Sequence, residues 1–254
     1  MSVGIENRRR TILEMVATEG FVSTGELASR LGVSEMSIRR DAEALSQEPE
    51  VARVRGGLVA VRPRRPRWEP EQPRSGKTMI AEAAARRLSS DSVVMIDAGT
   101  TALALARAIP ETFRGTVISH SLPVLQLMSD RPEITTIGLG GELYCRSRAF
   151  IGSAAISALE RLRAETFFMG AASVGPDGVF AARDVERDLK RAMMAASRRT
   201  VVLVEHEKFE SAAPVFIAPW TAHFTVLTDA PVPSGTVSRL ESAGATVEVA
   251  PPSI

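Results

Sequence analysis

The chain has 254 residues, of which 44% are hydrophobic and 24% charged, enough apolar material for a packed core and too much for wholesale disorder. No run approaches the ~18 apolar residues of a membrane span, and the start, MSVGIENRRRTIL, lacks an apolar export region, so a cytoplasmic globular protein that does not engage a membrane is expected. One cysteine, Cys145, and three scattered histidines exclude a disulfide framework and a multi-cysteine zinc site, and neither a metal nor another cofactor is expected. The net charge of +1 conceals an asymmetry: residues 1–67 carry 12 arginines and no lysine against 9 acids, whereas the remainder carries 19 basic against 21 acidic residues. A basic front hints at nucleic-acid contact, although an arginine-rich composition alone also produces it.

In chain order, the spacing predicts a first helix over Glu6 to Glu19, with Ile12, Leu13 and Val16 on one face, Arg8 to Arg10 on the other, and Gly20 as its stop. Ser23-Thr-Gly-Glu26 has capping-box spacing and opens a second helix whose stripe is Leu27, Ala28 and Leu31. Gly32-Val33 reads as a tight turn, and Ser34 as the N-cap of a third helix reaching about Ser46. On that helix Ile38, Ala42 and Leu45 share the inward face, leaving Met36, Ser37, Arg39 and Arg40 outward, as major-groove readout by the second helix of such a pair requires. Val51 to Arg55, a turn at Gly56-Gly57 and Leu58 to Val61 then read as a small β-wing that also carries arginine. The stretch 62–75 is rich in proline and arginine and reads as a linker, either a solvated hinge or a strip able to touch phosphates.

Val33-Ser-Glu-Met-Ser-Ile-Arg-Arg-Asp41, followed by Leu45 and Arg53-Val-Arg-Gly-Gly57, resembles the recognition helix and wing of the DeoR family of bacterial repressors. The resemblance implies a winged helix-turn-helix over residues 1–61 that binds double-stranded operator DNA through Ser34, Met36, Ser37, Arg39, Arg40, Arg53 and Arg55. Ser37 stands where the family usually has threonine, Arg55 where it has histidine, and Glu48-Pro-Glu50 where it has a glycine turn. Those changes bear on which operator is read.

From Lys77 onward, helices alternate with short β-rich runs. Strands are expected near Ser92–Ile96, Thr116–Ser119, Ile134–Ile137, Thr166–Met169, Thr200–Val204, Phe224–Thr228 and Ala245–Val249. Helices are expected at Ile80–Leu88, Ala102–Ala108, Ser153–Leu162, Asp184–Arg198 and Ser234–Ser242. This alternation predicts an α/β domain over 76–254 with a mostly parallel sheet, whose ligands bind beyond the carboxyl ends of the strands. The residues found there include Asp97-Ala-Gly-Thr-Thr101, Ser119-His-Ser121, Gly138 to Gly141 and Glu205 to Phe209. In the first, Gly99 permits a close turn and Thr100 and Thr101 begin a helix whose N-terminus attracts anions, a phosphate cradle or an ordinary strand-to-helix turn. Gly76-Lys77-Thr78 lacks the earlier glycine of a P-loop, position 71 being Glu71, and Gly138 to Gly141 lacks the spacing of a dinucleotide fingerprint.

Of 31 basic residues only Lys77, Lys190 and Lys208 are lysine, and the last two lie near these loops, where a compact ammonium suits an anion or hydroxyl. Glu186 and Lys190, four apart, read by themselves as a surface ion pair.

The order of these segments, with Phe168-Met-Gly-Ala171, Lys190-Arg-Ala-Met193 and Thr228-Asp229, is similar to the DeoR C-terminal domain. That resemblance implies a fold like ribose-5-phosphate isomerase and CoA transferases, and a sensor of a phosphorylated sugar or related anionic metabolite. Asp97, Gly99, Thr100, Thr101, Ser119, Ser121, Gly141, Glu186, Lys190, Glu205 and Lys208 would form its ligand site. His120 replaces the family's usual asparagine, and Glu205 and Glu207 replace its aspartate and serine, so the ligand's identity stays open. The expected function is a repressor of carbohydrate genes acting as a homodimer or homotetramer, without catalysis. The alternatives are a sugar-phosphate isomerase-like enzyme with a DNA-binding module, and a non-sensing DNA binder.

Overall fold

The computed structural model describes residues 2–19, 21–45, 51–60 and 76–251. The expected linker 62–75, the stop at Gly20, the helix end at Ser46 and the Glu48-Pro-Glu50 segment lie outside the described residues. The chain divides into two compact units, Met1–Glu69 and Pro70–Ile254.

The first unit contains helix α1 (Ser2–Glu19), strand β1 (Phe21–Ser23), helices α2 (Thr24–Leu31) and α3 (Glu35–Leu45), and strands β2 (Val51–Val54) and β3 (Gly57–Ala60). Ser23 caps α2 by accepting from the Glu26 amide at 3.1 Å, while the Glu26 carboxylate pairs with Arg30. Gly32 closes α2 in the left-handed conformation, φ 63°, where a side chain would be strained. Ile12, Val16, Val22, Leu27, Ile38, Leu45 and Leu58 form the core. The β-wing differs from its sequence reading in two respects. Its turn is Arg55-Gly56, because Gly57 already pairs with Val54, and β1, too short to show a period, adds a third strand to β3. Gly57 is where β1 and β3 meet: a Cβ there would collide with the Val22 carbonyl.

The second unit opens with α4 (Gly76–Ala85), β4 (Val93–Ile96), α5 (Thr100–Ala108), β5 (Thr116–Ser119), α6 (Leu122–Ser129) and β6 (Thr135–Gly138). A hairpin, β7 (Glu142–Tyr144) and β8 (Ala149–Ile151), precedes α7 (Ser153–Ala158) and β9 (Ala164–Gly170). Then come β10 (Ser173–Gly175), β11 (Gly178–Ala181), α8 (Arg187–Ala195), β12 (Ser197–Leu203), β13 (Val215–Ala218), β14 (Phe224–Thr228), α9 (Ser234–Ser242) and β15 (Thr246–Val249). Seven strands form one wholly parallel sheet in the order β15-β14-β12-β9-β4-β5-β6. Its central strands are continuous apolar runs, Phe167-Phe168-Met169 and Val201-Val202-Leu203, buried on both faces as a parallel sheet requires.

All seven strands expected from the sequence are those of this sheet. Elements without a clear period escaped the sequence reading: α6, apolar nearly all round, the hairpin β7–β8, and the antiparallel sheet β10-β11-β13. The helix expected over Asp184–Arg198 is shorter at both ends, because Asp184–Glu186 is a 3-10 turn and Ser197 and Arg198 already belong to β12. Similarly, the helix expected over Ser153–Leu162 stops at Ala158 and tightens into a 3-10 turn, Leu159–Arg161.

Candidate functional site

On the first unit, burial of Ile38, Ala42 and Leu45 fixes the rotation of α3, so Arg39 and Arg40 are exposed and Met36 is 59% exposed. Ser37 is half-buried; its amide donates to Ser34 Oγ at 3.2 Å and the two hydroxyls lie 3.0 Å apart, so Ser34 serves first as the helix cap. Arg39 makes only a loose pair with Glu35 at 3.6 Å, both exposed. Arg53 and Arg55 are exposed on the wing and, with Arg39, Thr24 and Gly57, line a groove between α3 and the β-sheet. Among the described residues Arg40, Arg53 and Arg55 have no acidic partner, leaving three guanidinium forks for base edges or phosphates. Arg8 and Arg9 differ. They are not simply the solvated face of α1 but converge on Asp41, which is 2% exposed, at 2.6 and 2.9 Å. The front's basic excess is therefore partly structural.

On the second unit the site follows from topology. From β4 the chain moves outward to β5 and β6, then returns to place β9 on the other side of β4. The carboxyl ends of β4 and β9 therefore flank a switch point, where an open parallel sheet presents a crevice. Asp97 leaves β4 there, fully buried. Its Oδ1 accepts from the Ala98 amide at 2.8 Å and meets His120 Nε2 at 2.9 Å; its Oδ2 accepts from the Gly170 amide at 2.8 Å and from Lys190 Nζ. Burial alone would raise this carboxyl, but the Lys190 ammonium and the His120 hydrogen bond override it and hold the group well below the ordinary carboxylate range.

Four partners saturate a carboxylate's acceptor sites, so Asp97 positions the groups around it and leaves nothing for a ligand. Lys190, read from the sequence as half of a surface pair with Glu186, is instead 6% exposed and committed to Asp97 and the Gly170 carbonyl, with its third N–H left to offer. Glu186, the residue that opens α8, stays near enough for the Lys190 charge to act on it, but the ammonium bonds to Asp97 instead.

The other candidates sort by what already occupies them. Ser119 Oγ donates to the Ile96 carbonyl at 2.7 Å and accepts from the Ser121 amide at 3.1 Å; Ser121 in turn caps α6. Both serines are buried and spent on the fold. Gly141, φ 105°, is required because a Cβ would strike the Ile151 carbonyl. Gly99, φ 122°, opens α5 without a side-chain cap, just past the carboxyl end of β4; Thr100 follows it exposed and Thr101 buried.

Lys208 donates to the Ala171 carbonyl at 2.9 Å; burial, with Lys77 and Lys190 nearby, lowers its pKa against the opposing pull of Glu205. Glu205 lies 4.0 Å from Lys77. Glu186 is half-buried and its pKa is raised, by burial first, with Asp97 adding to it and Lys190 opposing. Lys208 and Lys190 thus both bond to the backbone at the end of β9, and Lys77 lies near Glu205. The sequence reading missed Lys77 and His120 as members of this cluster; the scarcity of lysine was the signal for the first. Lys77, excluded as a P-loop lysine, sits in α4 and reaches Glu205.

Among the described residues no cluster of three or more His, Cys, Asp or Glu is placed to hold a metal ion, and no helix is long and apolar enough to cross a membrane. Family models match both units: the DeoR-like helix-turn-helix domain over residues 8–64 and the DeoR C terminal sensor domain over 73–230. The chain is 32% identical over 232 residues to the uncharacterized HTH-type transcriptional regulator YgbI of Escherichia coli, covering 89% of this chain and 90% of the relative. It is 31% identical to the glycerol-3-phosphate regulon repressor of the same organism, covering 89% and 91%. Among solved structures, ribose 5-phosphate isomerase A of Methanocaldococcus jannaschii overlaps 52% of each chain at 18% identity and a TM-score of 0.39. A reading helix with free arginines on one unit, a sensor-type sheet on the other, and models and relatives that span both place the chain in the DeoR family of helix-turn-helix transcriptional regulators.

Proposed function

We propose that this regulator is a cytoplasmic homodimer or homotetramer that represses carbohydrate-metabolism genes, and that a phosphorylated sugar or similar anionic metabolite, bound at the carboxyl edge of the sensor sheet, changes its operator affinity. One observation carries the reading: Lys190 and Lys208, two of the chain's three lysines, donate to the Gly170 and Ala171 carbonyls where β9 ends beside Asp97, at the switch point. Ammonium groups and free helix amides are what a phosphate needs. One relative is named for a glycerol-3-phosphate regulon, and that compound is an anion of this chemistry.

In this reading Lys190, Lys208 and the amides of Gly99, Thr100 and Thr101 hold the anion, and Glu186 and Glu205 accept from sugar hydroxyls. Arg40 reads a base edge, Arg53 and Arg55 clamp phosphates, Arg39 assists, and Met36 offers an apolar contact to a thymine methyl. A helix-turn-helix reads two half-sites, which is the reason for a symmetric oligomer. Catalysis is disfavoured because Asp97, the best-placed carboxylate, has all its lone pairs engaged and no room to take a substrate proton.

The test is a gel shift on DNA upstream of the protein's own gene, at fixed salt, with and without a panel of sugar phosphates. A specific shift altered by one compound supports the reading. Turnover of a sugar phosphate by the purified protein would support the isomerase-like alternative, and a shift that no compound alters would support a non-sensing DNA binder.

A further inference from the structure

The hairpin β7–β8 leaves the sheet beyond β6 and returns to lie against the exit of β5. Backbone bonds fasten it there: the Phe150 amide donates to the His120 carbonyl at 2.8 Å, the Leu122 amide donates to the Arg148 carbonyl at 2.9 Å, and Ser121 bridges Ala149. Arg148 adopts φ 52°, a left-handed conformation that a non-glycine residue holds only where its surroundings impose it. The hairpin's outer edge exposes Leu143.

One side chain joins this hairpin to the anion site. His120 is 4% exposed, with Nδ1 3.0 Å from the Phe150 carbonyl and Nε2 2.9 Å from Asp97 Oδ1. The two ring nitrogens meet these two oxygens on opposite sides of the imidazole, a span that a shorter amide side chain does not cover. The Ala98 amide, 3.2 Å from Nε2, lies closer to Asp97 Oδ1 at 2.8 Å and belongs mainly to the carboxylate. Asp97 in turn holds Lys190 through its other oxygen. The line Lys190, Asp97, His120, Phe150 therefore runs unbroken from the ammonium that meets an anion to the backbone of β8.

We propose that His120 is a positioning residue that couples occupancy of the anion site to the hairpin Glu142–Ile151. The inference rests on the reading of that site as an anion receptor. An anion taking the third N–H of Lys190 draws the ammonium away from Asp97; the carboxylate shifts its hold toward His120, and the ring transmits the change to Phe150. The bound state then differs from the free state at the hairpin, which is the differential arrangement that any ligand-driven change requires.

The experiment is hydrogen exchange on the full chain with and without saturating inorganic phosphate, comparing wild type with His120→Asn and with His120→Gly in the presence and absence of free imidazole. In wild type, phosphate should slow exchange at the start of α5 and change it by about threefold or more across 142–151. In His120→Asn the response at α5 should persist and the response at the hairpin should vanish. Imidazole added to His120→Gly should restore it, which covers the case of an asparagine variant that folds poorly. A wild-type response at α5 with none at the hairpin, a hairpin response retained in His120→Asn, or a folded glycine variant that imidazole leaves unresponsive would each overturn the coupling. Phosphate without effect anywhere in wild type would instead overturn the anion-site reading beneath it.

Discussion

The two units use positive charge in opposite ways. Among the described residues of the DNA-reading unit, Arg40, Arg53 and Arg55 stand exposed and without acidic partners, whereas Arg8 and Arg9 are drawn inward, onto Asp41. In the sensor unit the lysines are withdrawn: Lys190 is buried against Asp97, Lys208 is buried enough to lose basicity, and Lys77 faces Glu205. Exposed forks cost nothing in desolvation and wait for a partner with many phosphates. Buried ammoniums are held at a cost that a single small anion can relieve. The contrast implies that removing an exposed arginine should act on binding alone, and that breaking the buried Lys190–Asp97 pair should act on stability as well.

The largest expected effect breaks the buried cluster. Asp97→Ala leaves Lys190 and His120 facing each other without their carboxylate, a loss of roughly 3–5 kcal/mol. That corresponds to a fall of about 10 °C or more in the melting temperature of the sensor unit. Calorimetry on the full chain checks it, and a loss below about 1 kcal/mol would mean that Asp97 does not organise the site. The same group sets an acid limit. Its pKa is lower folded than unfolded, so its contribution is present above about pH 4, the ordinary carboxylate value, and is lost as pH falls below that. In Asp97→Asn this part of the acid dependence should disappear.

Asp41→Ala is the matching test in the DNA-reading unit. Here the abandoned partners are partly exposed guanidiniums that can rehydrate, so the loss should be smaller, about 2 kcal/mol, measured by denaturant unfolding. A loss as large as that of Asp97→Ala would erase the distinction between the units.

Much of this organisation was legible in the sequence, and what was not has a physical pattern. The parallel sheet was readable because runs such as Phe167-Phe168-Met169 are buried on both faces and carry a continuous apolar signal. Helix α3 was readable because Ile38, Ala42 and Leu45 fix its rotation. The hairpin β7–β8 and strand β1, three residues per strand, are too short to show a period, and β1 is held by β3, a partner distant in sequence. The site residues divide in the same way. Their positions at strand ends followed from alternation, but their roles depended on who else arrives. Ser119 and Ser121 offered hydroxyls on paper and spend them on Ile96 and α6 in the fold. The partner of Lys190 is 93 residues away rather than four.

Next in size is Arg40→Ala, expected to weaken operator binding by about 1–3 kcal/mol, roughly five- to 150-fold, with unfolding unchanged. Arg55→Ala should weaken binding less, uniformly across sequences, and reduce the slope of log affinity against log salt by about one. Titrations at several salt concentrations separate the two. Equal loss of stability in either variant would show that these arginines are not free.

Lys208→Met sharpens the comparison from the other side. Burial and the neighbouring lysines make the folded state hold this proton less tightly than the unfolded chain does, so a charged Lys208 lowers stability at neutral pH. Removing it should leave the ligand-free melting temperature unchanged or slightly raised and abolish the effect of sugar phosphate on operator binding. A clear fall in melting temperature would instead make the hydrogen bond to Ala171 its main role.

The smallest expected effect has two opposite signs, which makes it readable. Glu35 begins α3, where an acidic side chain favours the helix dipole, and it pairs loosely with Arg39 at 3.6 Å while both stay exposed. Glu35→Ala should therefore cost only a few tenths of a kcal/mol in stability. In the proposed reading this carboxylate shares the DNA-facing side of α3 with Arg39, so its removal should tighten operator binding by about two- to threefold at low salt and less at high salt. Weaker binding in this variant would mean that Glu35 holds Arg39 in the orientation the operator requires, and that the exposed forks of the first unit are positioned as deliberately as the buried ammoniums of the second.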